Sequence, residues 1–253
     1  MRHAGIDIGS RTIKLVVLED GTLSHQHKVA NSFNPLQTCD ALLAGVAYDR
    51  ITATGYGRHL FQGHHPAAAV ITELKAFALG AAHLDGSCRT VLDIGGQDTK
   101  AIALDERGGI RKFEMNDKCA AGTGRFLEIM ATALGYSYEE FAAAAQTAAR
   151  AEPISNMCTV FAESEVISLV TRGVPRQEIA LGIHRAIATR AVSLLRRVPL
   201  HGRLLFAGGV AHNPCMRALL TAELGLELLL APDPQLVGAL GCALASRALS
   251  PAT

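Results

Sequence analysis

Apolar residues fall into two patterns along this chain, short continuous runs and longer stretches with helical spacing. Two short runs are each followed by a polar turn and a second apolar run, which predicts two β-hairpins. Helical spacing covers residues 71–83, 124–134, 159–172 and 177–197. Strands mixed with helices on this scale predict an α/β protein.

The last part of the chain predicts one buried strand, a glycine turn and two helices. The strand covers residues 203–207 and ends in two glycines. A helix then begins at Pro214, and Asn213 is a suitable N-cap residue for it. A final helix is predicted over residues 235–247, after a rigid turn that contains two prolines.

The two hairpins repeat each other. Segments Ile6–Lys14 and Leu92–Lys100 carry aspartate, glycine and lysine at matching positions. A repeat of this kind indicates duplicated halves that face each other. We therefore predict a first half made of residues 1–88 with 239–253, and a second half made of residues 89–238.

Composition narrows the classes of function. The 24 basic and 23 acidic residues nearly balance, which argues against a surface that grips nucleic acid. No uncharged run is built like a membrane span, and the first residues lead directly into a strand-like run. These features predict a cytoplasmic protein with no signal peptide, no membrane partner and no nucleic-acid partner.

The hairpin turns have the chemistry of phosphate clamps. Glycine lets the backbone approach an anion closely, and hydroxyls such as that of Thr99 donate hydrogen bonds to it. Lys14 adds a positive charge, while Asp7 and Asp93 are oxygen ligands that suit Mg²⁺ directly or through water. Two structural turns with capping aspartates are the alternative. The candidate nucleotide-binding residues are Gly9, Ser10, Arg11, Thr12, Ile13, Lys14, Gly95, Gly96, Gln97, Asp98, Gly208, Gly209, Val210, Asn213 and Gln235.

Three such turns in one chain resemble the ATPase superfamily of actin, Hsp70 and sugar kinases. In that fold, two ribonuclease-H-like halves hold ATP in a cleft. The resemblance makes the first hairpin a phosphate-1 loop, the second a phosphate-2 loop and residues 208–213 an adenosine motif. It makes the last helix, with Gly238 and Gly241, a connecting element whose small residues permit a close helix crossing.

Two of the six cysteines differ from the others. Scattered cysteines in a cytosolic chain are usually free, buried thiols. That interpretation fits Cys39, Cys88, Cys215 and Cys242. By contrast, Cys119 and Cys158 each precede a predicted helix, and a helix N-terminus favours the thiolate that ligates iron.

The segments around these two cysteines also resemble a known family. Residues 116–126 and 154–165, together with 93–98 and 54–58, resemble activators of 2-hydroxyacyl-CoA dehydratases. The same BadF/BadG-type family includes ATPase subunits of benzoyl-CoA reductases and reductases of double-cubane iron–sulfur proteins. The resemblance covers almost the whole chain and implies an ATP-dependent activator that transfers electrons.

The resemblance implies a cofactor, partners and residue roles. Two subunits form a homodimer and share one [4Fe-4S] cluster through Cys119 and Cys158 of each. Ferredoxin or flavodoxin donates the electron, and a partner iron–sulfur dehydratase or double-cubane protein accepts it. Asp7 and Asp93 hold Mg²⁺ through its water shell, and Gln97 positions the attacking water. A simple turn-capping role for Gln97 is the alternative.

The second hairpin and the first cysteine segment are close in sequence. Only residues 101–118 join them. A γ-phosphate held by Gly95 and Gly96 is therefore predicted to bias the helix at Gly124 through a short connection.

Two local features depart from this interpretation. Phe77 stands where the family commonly has a histidine, so any role of that histidine is absent here. His64 and His65 suggest a metal site, but no third ligand is spaced to complete it, and an exposed loop is predicted.

Two rival functions share the predicted fold. A small-molecule kinase needs a general-base carboxylate, for which Asp98 and Asp117 are conceivable. An actin-like assembly protein has no use for the cysteine segments.

Overall fold

A computed structural model of the protein describes residues 1–155 and 158–248. Two residues of the second cysteine segment, Asn156 and Met157, lie outside this part, as do residues 249–253 of the predicted first half. The strands are β1 (Arg2–Ile8), β2 (Thr12–Glu19), β3 (Thr22–Ala30), β4 (Arg50–Thr54), β5 (Ala69–Val70), β6 (Cys88–Ile94), β7 (Thr99–Leu104), β8 (Ile110–Asn116), β9 (Arg203–Ala207) and β10 (Leu228–Leu230). The helices are α1 (Pro35–Leu43), α2 (Arg58–His64), α3 (Glu73–Leu84), α4 (Gly124–Ala133), α5 (Tyr138–Thr147), α6 (Thr159–Thr171), α7 (Arg176–Leu195), α8 (Pro214–Leu224) and α9 (Val237–Ala248).

The two sheets have the same topology. The first has strand order β3-β2-β1-β4-β5, and the second, read in the same direction, has β8-β7-β6-β9-β10. Each begins with an antiparallel hairpin, β1 with β2 and β6 with β7. The predicted α/β fold of two duplicated halves is therefore confirmed in the strand order itself.

The hairpins match in register as well as in order. Asp7 pairs with Lys14 in the first hairpin, and Asp93 pairs with Lys100 in the second. Each turn is closed by the N–H of its glycine, which donates to the backbone of the residue three positions on, over 3.1 Å in the first turn and 2.9 Å in the second. The repeated sequence pattern therefore specifies a repeated backbone shape.

The chain divides into two compact units. One contains Met1–Arg89, Leu104–Arg111 and the chain from Ala231 onward, and the other contains Thr90–Ala103 and Lys112–Leu230. Each unit has its own apolar core because each sheet buries a face against helices.

The larger core belongs to the unit with the second sheet. Phe126 of α4, Phe141 of α5 and Phe206 of β9 are all fully buried there. Burial of a phenylalanine side chain contributes about 2–3 kcal/mol, so these three residues alone fasten both helices to the sheet. Among the described residues of the chain, no helix has both the length and the apolar character needed to cross a membrane.

Helices α3 and α9 cross closely in the first unit. A Cβ at Gly241 would overlap the backbone of Ala76, and a Cβ at Gly80 would overlap that of Val237. The predicted close crossing at Gly241 is confirmed. Gly238 instead has ordinary contacts of 3.4 Å or more.

The predicted helices exist, with small differences at their ends. Helix α9 begins at Val237 rather than 235, because Asp233 holds the preceding residues in a turn: its carbonyl accepts the N–H of Leu236. Helix α5 was not predicted from the sequence, although Ser137 and Glu140 form a capping box that marks its start.

Candidate functional site

The first hairpin presents a backbone turn beside a buried ion pair. The Nζ of Lys14 lies 2.9 Å from Oδ2 of Asp7, and the aspartate is only 5% exposed. Asn31 braces the turn, since its side chain donates to the carbonyl of Gly9 and its backbone N–H to that of Arg11. Lys14, which we expected to face phosphate, is therefore paired with Asp7 in the described structure.

The remaining residues of this turn are partly available to a ligand. Ser10 and Thr12 are half-buried and Arg11 is exposed. The side chain of Ile13 is fully buried in β2, so only its backbone is available to bind a phosphate. Anion binding at this turn consequently depends on backbone N–H groups and the two hydroxyls.

A second glycine turn supports the carboxylate of Asp7. Gly55 follows β4 with a φ of +89°, and a Cβ there would lie 2.6 Å from Oδ1 of Asp7 and would overlap the carbonyl of Ile8. The N–H of Gly57 donates to the same carbonyl over 3.0 Å. Only glycine permits this approach, which explains the role of residues 54–58.

The second hairpin contains a buried three-residue charge cluster. Lys100 Nζ lies 3.2 Å from Oδ2 of Asp93 and 2.6 Å from Oδ2 of Asp98. Asp93 and Lys100 are each 2% exposed, so the cluster carries one net negative charge in a region of low dielectric. A hydrated Mg²⁺ would offset that charge. Because each aspartate already binds a lysine, Asp7 and Asp93 suit contact with Mg²⁺ through water.

Two predicted residues of the second turn are placed differently. Gln97 is exposed, and within the described residues its side chain makes no hydrogen bond to protein, so it does not cap the turn. Asp98 is bound by Lys100 and lies close against Gly95. Its carboxylate shapes the turn, which disfavours Asp98 as the general base of a kinase.

The third predicted turn meets the second hairpin directly. Gly208 follows β9 with a φ of +85°, and a Cβ there would overlap Oδ1 of Asp93 and the carbonyl of Ile94. Gly208 therefore stands to Asp93 as Gly55 stands to Asp7. The sequence pattern indicated Gly208 but not this equivalence, although both glycines directly follow corresponding strands.

This contact predicts a large effect for Gly208→Ala. Both the positive φ and the overlap with β6 oppose a methyl group, so we expect a loss of about 3 kcal/mol in the free energy of unfolding. Gly225→Ala is the matched control, because Gly225 has a φ of +66° and a Cβ placed there would have nothing within 4 Å. That change is expected to cost about 1 kcal/mol. Equal losses in urea unfolding would show that the close approach at Gly208 is unimportant.

The adenosine motif is built from buried groups. Residues Gly209–His212 form a short 3-10 turn, in which Val210 is buried. The side-chain oxygen of Asn213 accepts the N–H of Met216 over 3.0 Å, which confirms it as the N-cap of α8. Its side-chain nitrogen lies 3.0 Å from Nε2 of His184. Asn213 therefore supports the turn from behind.

His184 keeps this network in one protonation state. Its Nδ1 donates to the carbonyl of Ala180 over 2.7 Å, so Nε2 accepts from Asn213. Burial lowers the pKa of His184 to about 4, against an opposing increase from the hydrogen bond to Ala180. The neutral ring is thus the form that the fold holds.

A lowered histidine pKa predicts pH-dependent stability. The unfolded chain binds a proton at His184 near pH 6.5 and the folded chain only near 4, so this contribution is complete above 6.5 and declines below it. By pH 5 we expect a loss of about 2 kcal/mol from this group. Unfolding measured from pH 7 to 5 should show a shallower decline for His184→Gln than for wild type or the exposed-site control His59→Gln. Parallel profiles would contradict the assignment.

The cysteines divide as the sequence predicted. Cys39, Cys88, Cys215 and Cys242 are buried, whereas Cys119 and Cys158 are exposed. Burial raises the thiol pKa to about 12 at Cys39 and about 11 at Cys215, and raises it at Cys242 as well. A buried thiol held in its protonated form is a poor metal ligand.

The two exposed cysteines occupy different local structures. Cys158 is the N-cap residue of α6, as predicted. Cys119 does not directly begin a helix: it lies in the loop before α4, whose N-cap residue is Thr123. The side chain of Asn116 holds this loop by donating to the carbonyls of Cys119 and Ala121, over 3.0 Å each.

The second hairpin is hydrogen-bonded to the start of α4. The N–H groups of Gly124 and Arg125 donate to the carbonyls of Gly95 and Gly96, each over 2.9 Å. The hydroxyl of Thr99 donates to the carbonyl of Gly122 over 2.8 Å. Thr99, expected to bind phosphate, therefore fastens the hairpin to the cysteine loop. The sequence indicated a short connection and did not reveal this direct contact.

Comparisons with known proteins agree with this arrangement. An activator of lactoyl-CoA dehydratase from Anaerotignum propionicum is 43% identical over 253 residues, which cover 96% of each protein. The structure of the activator of 2-hydroxyisocaproyl-CoA dehydratase from Clostridium difficile with bound ADPNP is 34% identical, with a TM-score of 0.89 and 100% of each chain covered.

More distant structures define the fold alone. A glucokinase of the ROK family from Streptomyces griseus is 14% identical, with a TM-score of 0.62, and the match covers 98% of this chain and 100% of that chain. The expected ATPase fold of actin, Hsp70 and sugar kinases is confirmed. Residues 4–246 match one family over nearly the whole chain, and the protein accordingly belongs to the BadF/BadG/BcrA/BcrD ATPase family.

Proposed function

We propose that this ATPase is an electron-transfer activator. It couples ATP binding and hydrolysis to the delivery of one low-potential electron to a partner iron–sulfur enzyme. Relatives named as activators of 2-hydroxyacyl-CoA dehydratases support an ATP-dependent activator role. The partner is a dehydratase of that class or a double-cubane protein; a benzoyl-CoA-reductase-type enzyme is the alternative, since a subunit of that enzyme is also a relative.

The contact between the second hairpin and α4 carries this proposal. Gly95 and Gly96 offer their carbonyls to the first N–H groups of α4, and Thr99 binds the loop that contains Cys119. A phosphate that moves the hairpin turn must therefore break or move these hydrogen bonds. A kinase needs no such connection from its phosphate loop to an exposed cysteine.

The exposed thiols fit the proposed iron–sulfur cofactor. A [4Fe-4S] cluster takes four thiolates, and Cys119 and Cys158 of two subunits would supply them. When bound, the cluster supplies a one-electron reductant of low potential. Asn116 fixes the backbone on both sides of the Cys119 loop, which limits how far that thiol can move.

The surface of α6 supports a homodimer. Phe161, Ile167 and Val170 on this helix are 62%, 55% and 40% exposed. The same helix begins at Cys158, so a second subunit that shares the cluster would also cover these apolar side chains. Exposed apolar groups of this size commonly mark protein interfaces.

The turns supply the chemistry of ATP hydrolysis. We propose that Asp7 and Asp93 hold Mg²⁺ through water, and that Gln97 orients the attacking water. The backbone at Gly9 to Lys14 and at Gly95 to Asp98 receives phosphate oxygens, and Gly208, Gly209 and Val210 receive adenosine. Gln235, which accepts a 2.7 Å hydrogen bond from Lys28, would support the nucleotide through the same loop.

The electron donor is expected to be a ferredoxin or flavodoxin, in a cytoplasmic setting that preserves reduced thiols. Each cycle then moves one electron from donor to acceptor while ATP and water give ADP, inorganic phosphate and a proton. No nucleic-acid or membrane partner is needed for this reaction.

Electron transfer is tested with an acceptor of known class. Anaerobically reduced protein is mixed with the dehydratase component of the lactoyl-CoA system, and the reduced-cluster signal is followed by electron paramagnetic resonance. We expect rapid loss of the activator signal with Mg-ATP and persistence with Mg-ADP. Equal rates with either nucleotide would contradict an ATP-driven step. Transfer of phosphate to a small hydroxyl compound would instead support the kinase alternative.

A further inference from the structure

Two neighbouring histidines and an aspartate converge on the surface of the first unit. Nε2 of His64 lies 3.1 Å from one carboxylate oxygen of Asp40, and Nε2 of His65 lies 2.9 Å from the other. The ligand atoms of the three side chains are all within 4.8 Å of one another. In residues 1–155 and 158–248, this is the one group of three or more His, Cys, Asp or Glu side chains that converges in this way.

The expectation that no third ligand accompanies the two histidines is therefore wrong. The third ligand comes from α1, whereas the histidines lie at the C-terminal end of α2. Spacing along the chain could not show this, because only the packing of α1 against α2 brings Asp40 to them. An exposed pair of side chains becomes a three-ligand set through tertiary structure.

Packing holds the two imidazole rings in place. Phe61 is fully buried, and its ring centroid lies 4.4 Å from that of His65, whose N–H donates to the Phe61 carbonyl over 2.7 Å. The rings of His64 and His65 are nearly perpendicular, with centroids 4.8 Å apart. On α1, buried Cys39 anchors the turn that carries Asp40. The donor atoms are thus positioned before any ligand binds.

We propose that Asp40, His64 and His65 form a binding site for a divalent transition-metal ion of the zinc class. Two imidazole nitrogens and one carboxylate oxygen suit Zn²⁺, Co²⁺ or Ni²⁺ better than Mg²⁺, which prefers oxygen ligands alone. Three protein ligands leave positions for water. The ion would replace the two histidine–aspartate hydrogen bonds and fasten α1 to the end of α2.

Cobalt binding tests the site directly. Because Cys119 and Cys158 would also bind cobalt, the full chain carrying Cys119→Ser and Cys158→Ser is titrated with Co²⁺, and the visible absorption bands and stoichiometry are recorded. We expect one Co²⁺ per chain, bound without sulfur ligation. Asp40→Asn in the same background should weaken binding at least tenfold, and His65→Gln should do likewise.

A second histidine pair provides the matched control. His25 and His27 on β3 have ring centroids 6.4 Å apart and are not joined to a converging carboxylate within the described residues. Replacing both with glutamine should leave Co²⁺ affinity unchanged. The proposal is overturned if the parent chain binds no Co²⁺, if Asp40→Asn and His65→Gln both bind it as tightly as the parent, or if the His25/His27 change abolishes binding. Thermal unfolding of each variant confirms that it is folded.

Discussion

Replacing Cys158 with serine is expected to remove nearly all iron from anaerobically reconstituted protein. The unsubstituted protein should hold about two irons per chain, because two subunits would share one four-iron cluster. Serine keeps the size of the side chain at the start of α6 and removes the thiolate. Iron and acid-labile sulfide analysis, together with absorbance near 400 nm, measures the loss. Cys119→Ser should give the same result, although its cysteine lies in a loop.

The buried cysteines provide the control for this prediction. Cys39→Ala removes a thiol that is 1% exposed in the first core, so it should lower stability modestly and leave the iron content unchanged. Mass measurement in solution should show a dimer for the reconstituted protein. A full complement of iron in Cys158→Ser, or a cluster lost equally in Cys39→Ala, would refute the assignment of ligands.

Asp93→Asn is expected to lower the rate of ATP hydrolysis by at least about 100-fold. Asparagine has nearly the same shape and keeps a group beside Lys100, but it lacks the charge that would order the water shell of Mg²⁺. The fold and the iron content should therefore persist. Release of inorganic phosphate from ATP measures the effect, and the visible spectrum checks the cluster.

Asp105→Asn separates a specific effect from a general one. Asp105 lies just past the far end of β7, where its carboxylate accepts the N–H groups of Arg107 and Gly109 and only shapes a turn. This variant should hydrolyse ATP at nearly the normal rate. If Asp93→Asn also retained normal hydrolysis, the nucleotide site would have to lie elsewhere.

The repeated part of the fold could be predicted from sequence because its signal is local. Each hairpin places an aspartate, a glycine and a lysine at fixed spacing, and antiparallel pairing then brings Asp7 to Lys14 and Asp93 to Lys100. The exposed and buried cysteines were also separable, since apolar neighbours surround Cys242 and polar or small residues surround Cys119.

The remaining features depend on contacts between distant segments. Nothing in the sequence around Thr99 shows that its hydroxyl binds Gly122, and nothing around His64 shows that Asp40 faces it. The use of Gly95 by α4 is likewise a matter of tertiary packing. These hydrogen bonds are directional, so their partners are fixed only once the helices are placed.

Iron removal by a chelator tests most directly whether nucleotide at the second hairpin acts on the cysteine loop. Reconstituted protein is mixed anaerobically with a ferrous-iron chelator, and complex formation is followed with no nucleotide, with Mg-ADP and with Mg-ATP. We predict a several-fold change in rate on adding Mg-ATP, which disappears in Asp93→Asn. Identical rates under all three conditions, in protein shown to bind ATP, would contradict the coupling through Gly95, Gly96 and α4.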